Sequence, residues 1–324
     1  MHFPPRLEIL WHGKPNDHRI PLHKVTVHAA HPAAAIPGAE ARDWTLTEAY
    51  RYCEAMTAAH YENFPVASFL IPAAKRRHIS VIYAFARTAD DFADEPGLGD
   101  GERLEALQQW RERLEECFAG NARHPVFLAL RETAMSCGLP PELFHRLLRA
   151  FESDVTVHRF ETREDVLAYC RNSAEPVGRL VLLLFGYRDD ELMKCSDKVC
   201  TALQLANFWQ DLSIDLQKDR VYLPKEDLVR FGVTEGDLLQ GRSSGAVRSL
   251  IGEMAAWAQA ILEEGKPLLG HVGWDLKLEL RLTYNGGKAI LNRVRDSGEG
   301  VLHRRPVLPR GEKFMLLIRS LMGL

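Results

Sequence analysis

The feature that most constrains the fold is a succession of helical segments with almost no strand-like alternation between them. A capping box at Thr45–Glu48 opens the first segment. Further helices are predicted at about 75–95, 101–118, 124–136, 140–152, 163–185, 189–217, 244–266, 274–295 and 311–322. "RVYLP" is the only short strand candidate, and no Pro/Gly/Ser-rich linker divides the middle. We therefore expect an all-α chain of about ten helices, with a single domain over residues 43–324.

Composition limits the partners and the compartment. The first 42 residues hold six of the thirteen histidines, at irregular spacing, which favours a flexible N-terminal extension over a metal-binding tail. A net charge of −3 without a basic stripe argues against nucleic acid. Six scattered cysteines without a C-x-x-C pair indicate reduced thiols, and no apolar run has the length of a membrane span. These features predict a cytoplasmic protein.

Acidic residues crowd the stretch "YAFARTADDFADEPG", which directly follows an apolar run. On a helix, Asp90, Asp91 and Asp94 share one face because they are three or four residues apart. Arg87 lies one turn before Asp90, and Tyr83 lies one turn before Arg87. Taken alone, this pattern fits either a solvated helix end or a site that needs negative charge.

A second acidic stripe lies in "QLANFWQDLSIDLQKDRVYLP". It places polar side chains about one turn apart, at Gln204, Asn207, Asp211 and Asp215. The positions between them are largely apolar, so the helix is expected to be buried, and buried carboxylates cost several kcal/mol unless they are paired or coordinated. Two explanations remain open: a metal-lined cavity between helices, or structural ion pairs with Lys218 or Arg220.

Two opposed acidic stripes suit a hard cation that bridges to phosphate. Mg²⁺ prefers oxygen ligands and is typically held by one or two carboxylates together with substrate phosphates. Arg87 could bind phosphate oxygens directly, which carboxylates cannot do. An apolar, aromatic cavity around such a clamp would suit an isoprenoid chain and a carbocation. The chain has no GxGxxG nucleotide loop.

Three blocks in order resemble the squalene/phytoene synthase family of head-to-head prenyl synthases. They are "SFLIPAAKRRHISVIYAFARTADDFADE", "YCRNSAEPVGRL" and "QLANFWQDLSIDLQKDRVYLP". The resemblance runs from about Tyr50 to the C-terminus and implies an isoprenoid-synthase-type helical bundle around a central cavity. It also implies several Mg²⁺ ions bound together with the substrate diphosphate.

The resemblance assigns roles to individual residues. The implied Mg²⁺ ligands are Asp90, Asp91, Asp94, Asn207, Asp211 and Asp215. The implied catalytic residues are Asp90, Asp94, Asp211, Asp215 and Tyr83. The implied contacts of the substrate, or of waters on its diphosphate, are Tyr83, Arg87, Ser68, Phe69, Gln204, Tyr284 and Gly178.

Within the family, the blocks look most like the members that make hydroxysqualene. That likeness implies ionisation of presqualene diphosphate, rearrangement and capture by water, without NADPH, downstream of a presqualene diphosphate synthase. Two departures from condensing members, Pro65 in place of histidine and Gln210 in place of arginine, remove positive or proton-bearing groups near the diphosphate. The alternatives are a squalene, dehydrosqualene or phytoene synthase, and a non-catalytic assembly protein of the same fold.

Two further features leave alternatives open. Glu175 could face the cavity near the quenching water or could cap a turn, while Pro176 is expected to kink its helix. The last helix, "KFMLLIRSLMG", could pack on the core or make a peripheral contact with the inner face of a membrane.

Overall fold

The computed structural model describes residues 43–59, 71–94 and 96–322, and the regular secondary structure of this part of the chain is helical. No strand forms within it; "RVYLP" contributes only an isolated bridge between Arg159 and Val221. The prediction of an all-α fold is therefore confirmed. The expected extension over residues 1–42 lies outside the described residues, and the single domain over residues 43–324 stays a prediction.

The first seven helices span residues 46–184. They are α1 (Leu46–Ala59), α2 (Ala73–Asp94), α3 (Asp100–Phe118), α4 (Pro125–Cys137), α5 (Pro141–Thr156), α6 (Arg163–Ser173) and α7 (Glu175–Leu184). Local sequence explains several boundaries. Thr162 caps α6 by accepting a hydrogen bond from the Asp165 backbone N–H, and Gly138 ends α4 in the left-handed conformation.

The second half of the chain contains the remaining helices described. They are α8 (Asp190–Gln210), α9 (Leu212–Asp215), α10 (Lys225–Phe231), α11 (Glu235–Leu239), α12 (Gly245–Glu264), α13 (Leu268–His271), α14 (Trp274–Ser297) and α15 (Arg310–Met322). Two 3₁₀ turns, Leu216–Lys218 and Gly298–Leu302, follow α9 and α14.

Two apolar cores share α7. The first core is built by α1 to α5 around stacked and edge-to-face rings, including Phe85, Trp110 and Phe127. The second core surrounds α8 and includes residues of α12 and α14. Leu180 and Leu184 face the first core, whereas Leu182 faces the second. Because residues two apart on a helix point to different sides, α7 binds the two cores together.

Helix α8 is the buried axis of the second core. It packs against α6, α7, α12, α13 and α14, and its last seven residues, 204–210, are all buried. This arrangement confirms the sequence expectation of a helix that is apolar around most of its circumference. The polar residues of the second stripe are therefore carried into the interior by their apolar neighbours.

Two predicted helices are broken in the structure. The predicted helix 163–185 is interrupted at Ala174. Pro176 lies in the first turn of α7, where the backbone N–H that proline lacks would have no intrahelical acceptor in any case. The predicted helix 189–217 ends at Gln210, with Asp211 outside helical geometry. Helices α10, α11 and α13 were not predicted, because four to seven residues are too few to show a period.

The described part of the chain also bears on the expected lack of a membrane span and on the expected reduced cysteines. None of its helices combines the length and the hydropathy needed to cross a bilayer. All six cysteines fall within it and carry free thiols, in agreement with the expected reduced state. Burial raises the pKa of the Cys53, Cys117 and Cys200 thiols to about 12, so these groups stay protonated at neutral pH.

Close packing at Gly265, just after α12, gives a test of this architecture. A Cβ atom there would lie 2.8 Å from the Cys195 carbonyl oxygen and 2.9 Å from the Val199 nitrogen, both in the α8 backbone. We expect Gly265→Ala to lower the free energy of unfolding by about 1–3 kcal/mol, because the α8 backbone atoms, unlike a side chain, cannot relieve the clash by changing rotamer. Gly252→Ala is the control, since nothing lies within 4 Å of its Cβ position. Equal urea-unfolding midpoints for both variants would contradict this packing.

Candidate active site

The first acidic stripe lies on the last turns of α2. Arg87 reaches forward one turn to pair with Asp90, at 3.4 Å between Nη1 and Oδ2, and with Asp91. These three side chains are partly buried, so the stripe is not a solvated helix end. Tyr83, one turn earlier, is buried on the same helix. The sequence-predicted grouping of these residues on α2 is present in the structure.

The second stripe is deeply buried. Gln204, Asn207, Asp211 and Asp215 are all buried, and Asp211 is only 1% exposed. The Asp211 N–H donates to the Asn207 carbonyl at 2.8 Å, and the Asp215 N–H donates to the Asp211 carbonyl at 2.9 Å. These bonds preserve the one-turn spacing across the helix break. The three oxygen-bearing side chains therefore remain a stripe although α8 ends at Gln210.

A turn at Asp219 folds the chain from the second stripe back to the first. Asp219 is the sole non-glycine residue with positive φ (55°) in the described part of the chain, a conformation that aspartate tolerates better than most residues. Arg159 fixes this turn through the Asp219 carboxylate, at 2.6 Å, and its carbonyl oxygen. Arg220, the next residue, is thereby turned inward and buried.

Asp94 joins the two stripes. Arg220 Nη2 lies 2.9 Å from Asp94 Oδ1, and Lys218 Nζ lies 3.6 Å from Asp94 Oδ2. Lys218 and Arg220 are the cations that the sequence offered as partners of the second stripe, and they contact a carboxylate of the first. The two acidic segments, far apart in sequence, are therefore neighbours in space.

Arg305 is a site residue that sequence reasoning missed. It pairs with Asp211 from the segment between α14 and α15, while the neighbouring Arg304 is exposed. Gln210 anchors this segment because its Nε2 donates to the Pro306 carbonyl at 2.7 Å. The "HRRP" motif was the available signal, but sequence alone could not tell which arginine turns inward.

The donor set fits a magnesium ion that is completed by substrate. Within residues 43–59, 71–94 and 96–322, no three acidic, histidine or cysteine side chains gather as a ready metal site. The stripes nevertheless present only carboxylate and amide oxygens, and Mg²⁺ needs one or two such ligands beside phosphate and water. Arginine and lysine now neutralise Asp90, Asp91, Asp94 and Asp211. Cations of this kind also bind phosphate oxygens.

The other sequence-predicted residues lie in different settings. Ser68 and Phe69 fall outside the described residues. Gly178 packs against Ser196 and Cys200 of α8, so it sets the spacing of α7 and α8. Tyr284 is a buried residue of α14. Burial raises the pKa of its hydroxyl, and the nearby carboxylate of Glu263 on α12 raises it further. Its contact with diphosphate stays a prediction.

Two glutamates were not assigned a definite role from sequence. Glu175 begins α7 and lies 2.9 Å from Arg146, with Thr201 donating to it at 3.4 Å; burial raises the pKa of its carboxyl. Glu279 on α14 has a shielded Oε2 without a hydrogen-bond partner in the described region. Burial raises the pKa of Glu279 to about 7. A single carboxyl group of this kind leaves no sequence pattern by which it could be found.

Known proteins resemble this chain over most of its length. A family model described as squalene/phytoene synthase matches residues 57–312. The hydroxysqualene synthase of Rhodopseudomonas palustris is 35% identical over 251 residues, which cover 76% of this chain and 84% of that protein. The phytoene synthase of Arthrospira platensis is 29% identical over 290 residues, covering 84% and 92% of the two chains.

A solved structure has the same architecture. The crystal structure of squalene synthase HpnC from Alicyclobacillus acidocaldarius superposes with a TM-score of 0.75 at 43% identity, covering 78% of this chain and 95% of that one. This likeness confirms the predicted isoprenoid-synthase type of helical fold. The family match contains both acidic stripes and Arg305. The chain therefore belongs to the squalene/phytoene synthase family.

Proposed function

We propose that this enzyme converts presqualene diphosphate and water into hydroxysqualene and diphosphate, without NADPH. The C–O bond to the diphosphate breaks and the leaving group takes the electron pair. The cyclopropylcarbinyl cation rearranges, and a water oxygen bonds to carbon and releases a proton. The substrate would come from a separate presqualene diphosphate synthase. The contact of Arg220 and Lys218 with Asp94 carries this proposal, because it brings cations and both acidic segments together.

The chain's own residues would bind and orient the diphosphate. Arg87 and Arg305 are partly buried cations held at the two stripes, and each can donate to phosphate oxygens. Tyr83 and Gln204 would bind the diphosphate or order its waters; the Gln204 Nε2 is buried without a hydrogen-bond partner among the described residues.

The two stripes would hold the metal. Asp90, Asp91 and Asp94 on one wall, with Asn207, Asp211 and Asp215 on the other, would be the ligands. Bound Mg²⁺ would neutralise negative charge on the leaving diphosphate. The ion pairs that now hold these carboxylates would exchange for metal and phosphate contacts. Such an exchange keeps the buried charges compensated throughout.

The surroundings of Gln210 support one preformed substrate over two smaller ones. This buried, neutral side chain is bonded to the Pro306 carbonyl. It therefore supplies no positive charge where condensing members commonly carry arginine. Relatives named hydroxysqualene synthase, at 35% and 38% identity, support the same choice. The alternatives are condensation of two prenyl diphosphates, as the phytoene synthase relatives suggest, and a non-catalytic role.

Product analysis separates these functions. Purified protein with Mg²⁺ is incubated with presqualene diphosphate or with farnesyl diphosphate, without NADPH, and the extracts are identified by mass spectrometry. We expect hydroxysqualene from presqualene diphosphate and no product from farnesyl diphosphate. Presqualene diphosphate or a hydrocarbon formed from shorter prenyl donors would overturn the proposal in favour of condensation. Absence of turnover with either substrate would favour the non-catalytic role.

Metal binding should depend on diphosphate. Because no three acidic, histidine or cysteine side chains gather as a metal site in the described part of the chain, we expect weak binding of Mg²⁺ alone and much tighter binding with inorganic diphosphate present. Isothermal titration calorimetry measures both affinities. Asp211→Asn should weaken the joint binding by at least about tenfold. Asp296→Asn, an exposed carboxylate on α14, is the control and should leave the affinity unchanged. Tight Mg²⁺ binding without diphosphate would show a different kind of site.

The arginine pair at 304 and 305 offers a matched comparison. Arg305→Gln removes the cation beside Asp211 and should lower kcat/KM by roughly 10²–10³-fold, as loss of a charge-stabilising donor does in other enzymes. Arg304→Gln should stay near wild type, because that side chain is exposed. Arg305→Gln should also lose stability in metal-free buffer, since Asp211 keeps a buried, less compensated charge. Equal kinetics for the two variants would remove Arg305 from the site.

A further inference from the structure

The outer face of α15 is apolar. Leu316 and Ser320 are buried toward α14, where Asn285 Nδ2 lies 3.1 Å from Ser320 Oγ. The opposite side of the helix carries Phe314, Leu321 and Met322, which are 61%, 60% and 61% exposed, and Met315, which is 48% exposed, borders both this side and the groove between α14 and α15. Single exposed apolar side chains are ordinary, but four within three helical turns form a continuous patch. The helix therefore packs on the core with one face and leaves a second apolar face outside.

A further exposed aromatic side chain, Trp274, lies at the start of α14. It is 86% exposed and stands seven residues before Arg281, so the two side chains leave α14 on the same side. Arg281 reaches the Ser320 carbonyl oxygen on α15 at 3.4 Å. Trp274 therefore lies about 10 Å from Arg281 along α14, on the same side of that helix. Tryptophan at the edge of an apolar patch is typical of side chains that sit at a membrane–water interface.

The segment that carries this patch has a net charge opposite in sign to that of the whole chain. Residues 274–322 contain ten lysines and arginines and five aspartates and glutamates, whereas the complete sequence has a net charge of −3. Arg310 and Arg319 are exposed and border the apolar face of α15 on its two sides. A basic rim around an apolar helix face favours contact with an anionic surface.

We propose that the outer face of α15, together with Trp274, docks on the surface of an anionic lipid bilayer. In this arrangement α15 lies in the plane of the interface, with its apolar side chains among the acyl chains and its arginines at lipid phosphates. A second copy of the chain is a poorer occupant, because pairing this face with itself would bring two basic rims together. The docking involves none of the residues placed in the diphosphate site, and it holds whatever the reaction is.

Vesicle flotation tests the proposal without substrate or Mg²⁺. The full chain is mixed with vesicles of phosphatidylcholine alone or of phosphatidylcholine with phosphatidylglycerol. We expect binding to the anionic vesicles, weakened by added salt because the charges involved are exposed. We also expect tryptophan emission to shift to shorter wavelength on binding, with a smaller shift for Trp274→Phe. Absence of binding to the anionic vesicles would overturn the proposal.

Matched variants locate the surface. Phe314→Ser should weaken partitioning roughly tenfold, and Met322→Ser should weaken it in the same direction. Met135→Ser is the control, because Met135 is 72% exposed on α4, away from this patch. Arg319→Gln should weaken partitioning onto anionic vesicles about fivefold and should change partitioning onto neutral vesicles little. These side chains are at the surface, so the variants should keep the wild-type unfolding midpoint.

Two outcomes would contradict the assignment. One is equal weakening by Met135→Ser and Met322→Ser, which would mean non-specific adsorption. The other is a dimer in solution, seen by light scattering and broken by Phe314→Ser, with no vesicle binding. That result would assign the same face to a second copy of the chain.

Discussion

The compensation of buried carboxylates is the constraint on which the rest of the structure depends. Helix α8 carries Asn207 and leads directly to Asp211 in the interior, where an unpaired charge would cost several kcal/mol. The chain meets this cost with cations from separate segments: Arg87 on α2, Arg220 after α9 and Arg305 after α14. Arg220 and Arg305 each join two separate segments, whereas Arg87 pairs with Asp90 and Asp91 within α2. The Arg220–Asp94 pair thus holds α2 against the segment after α9, and the Arg305–Asp211 pair holds the loop before α15 against the end of α8.

Much of the fold could be predicted because helical periodicity is a local property. The long amphipathic segments and the burial of α8 follow from the spacing of apolar residues. Pro176 signalled an irregularity near Ala174 without showing that the helix ends there, and the break at Asp211 could not be located because the apolar pattern continues past it. The short helices α10, α11 and α13 present fewer than two or three turns, so their period is hidden among loop residues.

For the candidate site, too, the local features could be predicted from sequence and the contacts between segments could not. Asp90, Asp91 and Asp94, and the stripe from Asn207 to Asp215, could be found because each set lies on one local stretch of chain. Their partners could not be assigned, because ion pairs between segments depend on tertiary packing. Lys218 and Arg220 were considered for the second stripe yet contact Asp94, and Arg305 was not considered. The sequence alone does not show which of the many carboxylates a loop arginine or lysine will pair with in the folded chain.

The contacts that close the site also bear on how the chain folds. Arg220 and Asp94 are 126 residues apart, and Arg305 and Asp211 are 94 residues apart. Contacts of such sequence separation require long loops to close before they yield any stabilisation, so they form after local helices and hairpins of helices. The candidate site is therefore expected to form late in folding. Partly folded chains would hold helices and apolar cores before they hold a site able to bind ligand, and synthesis must reach Arg305 before that site can be completed.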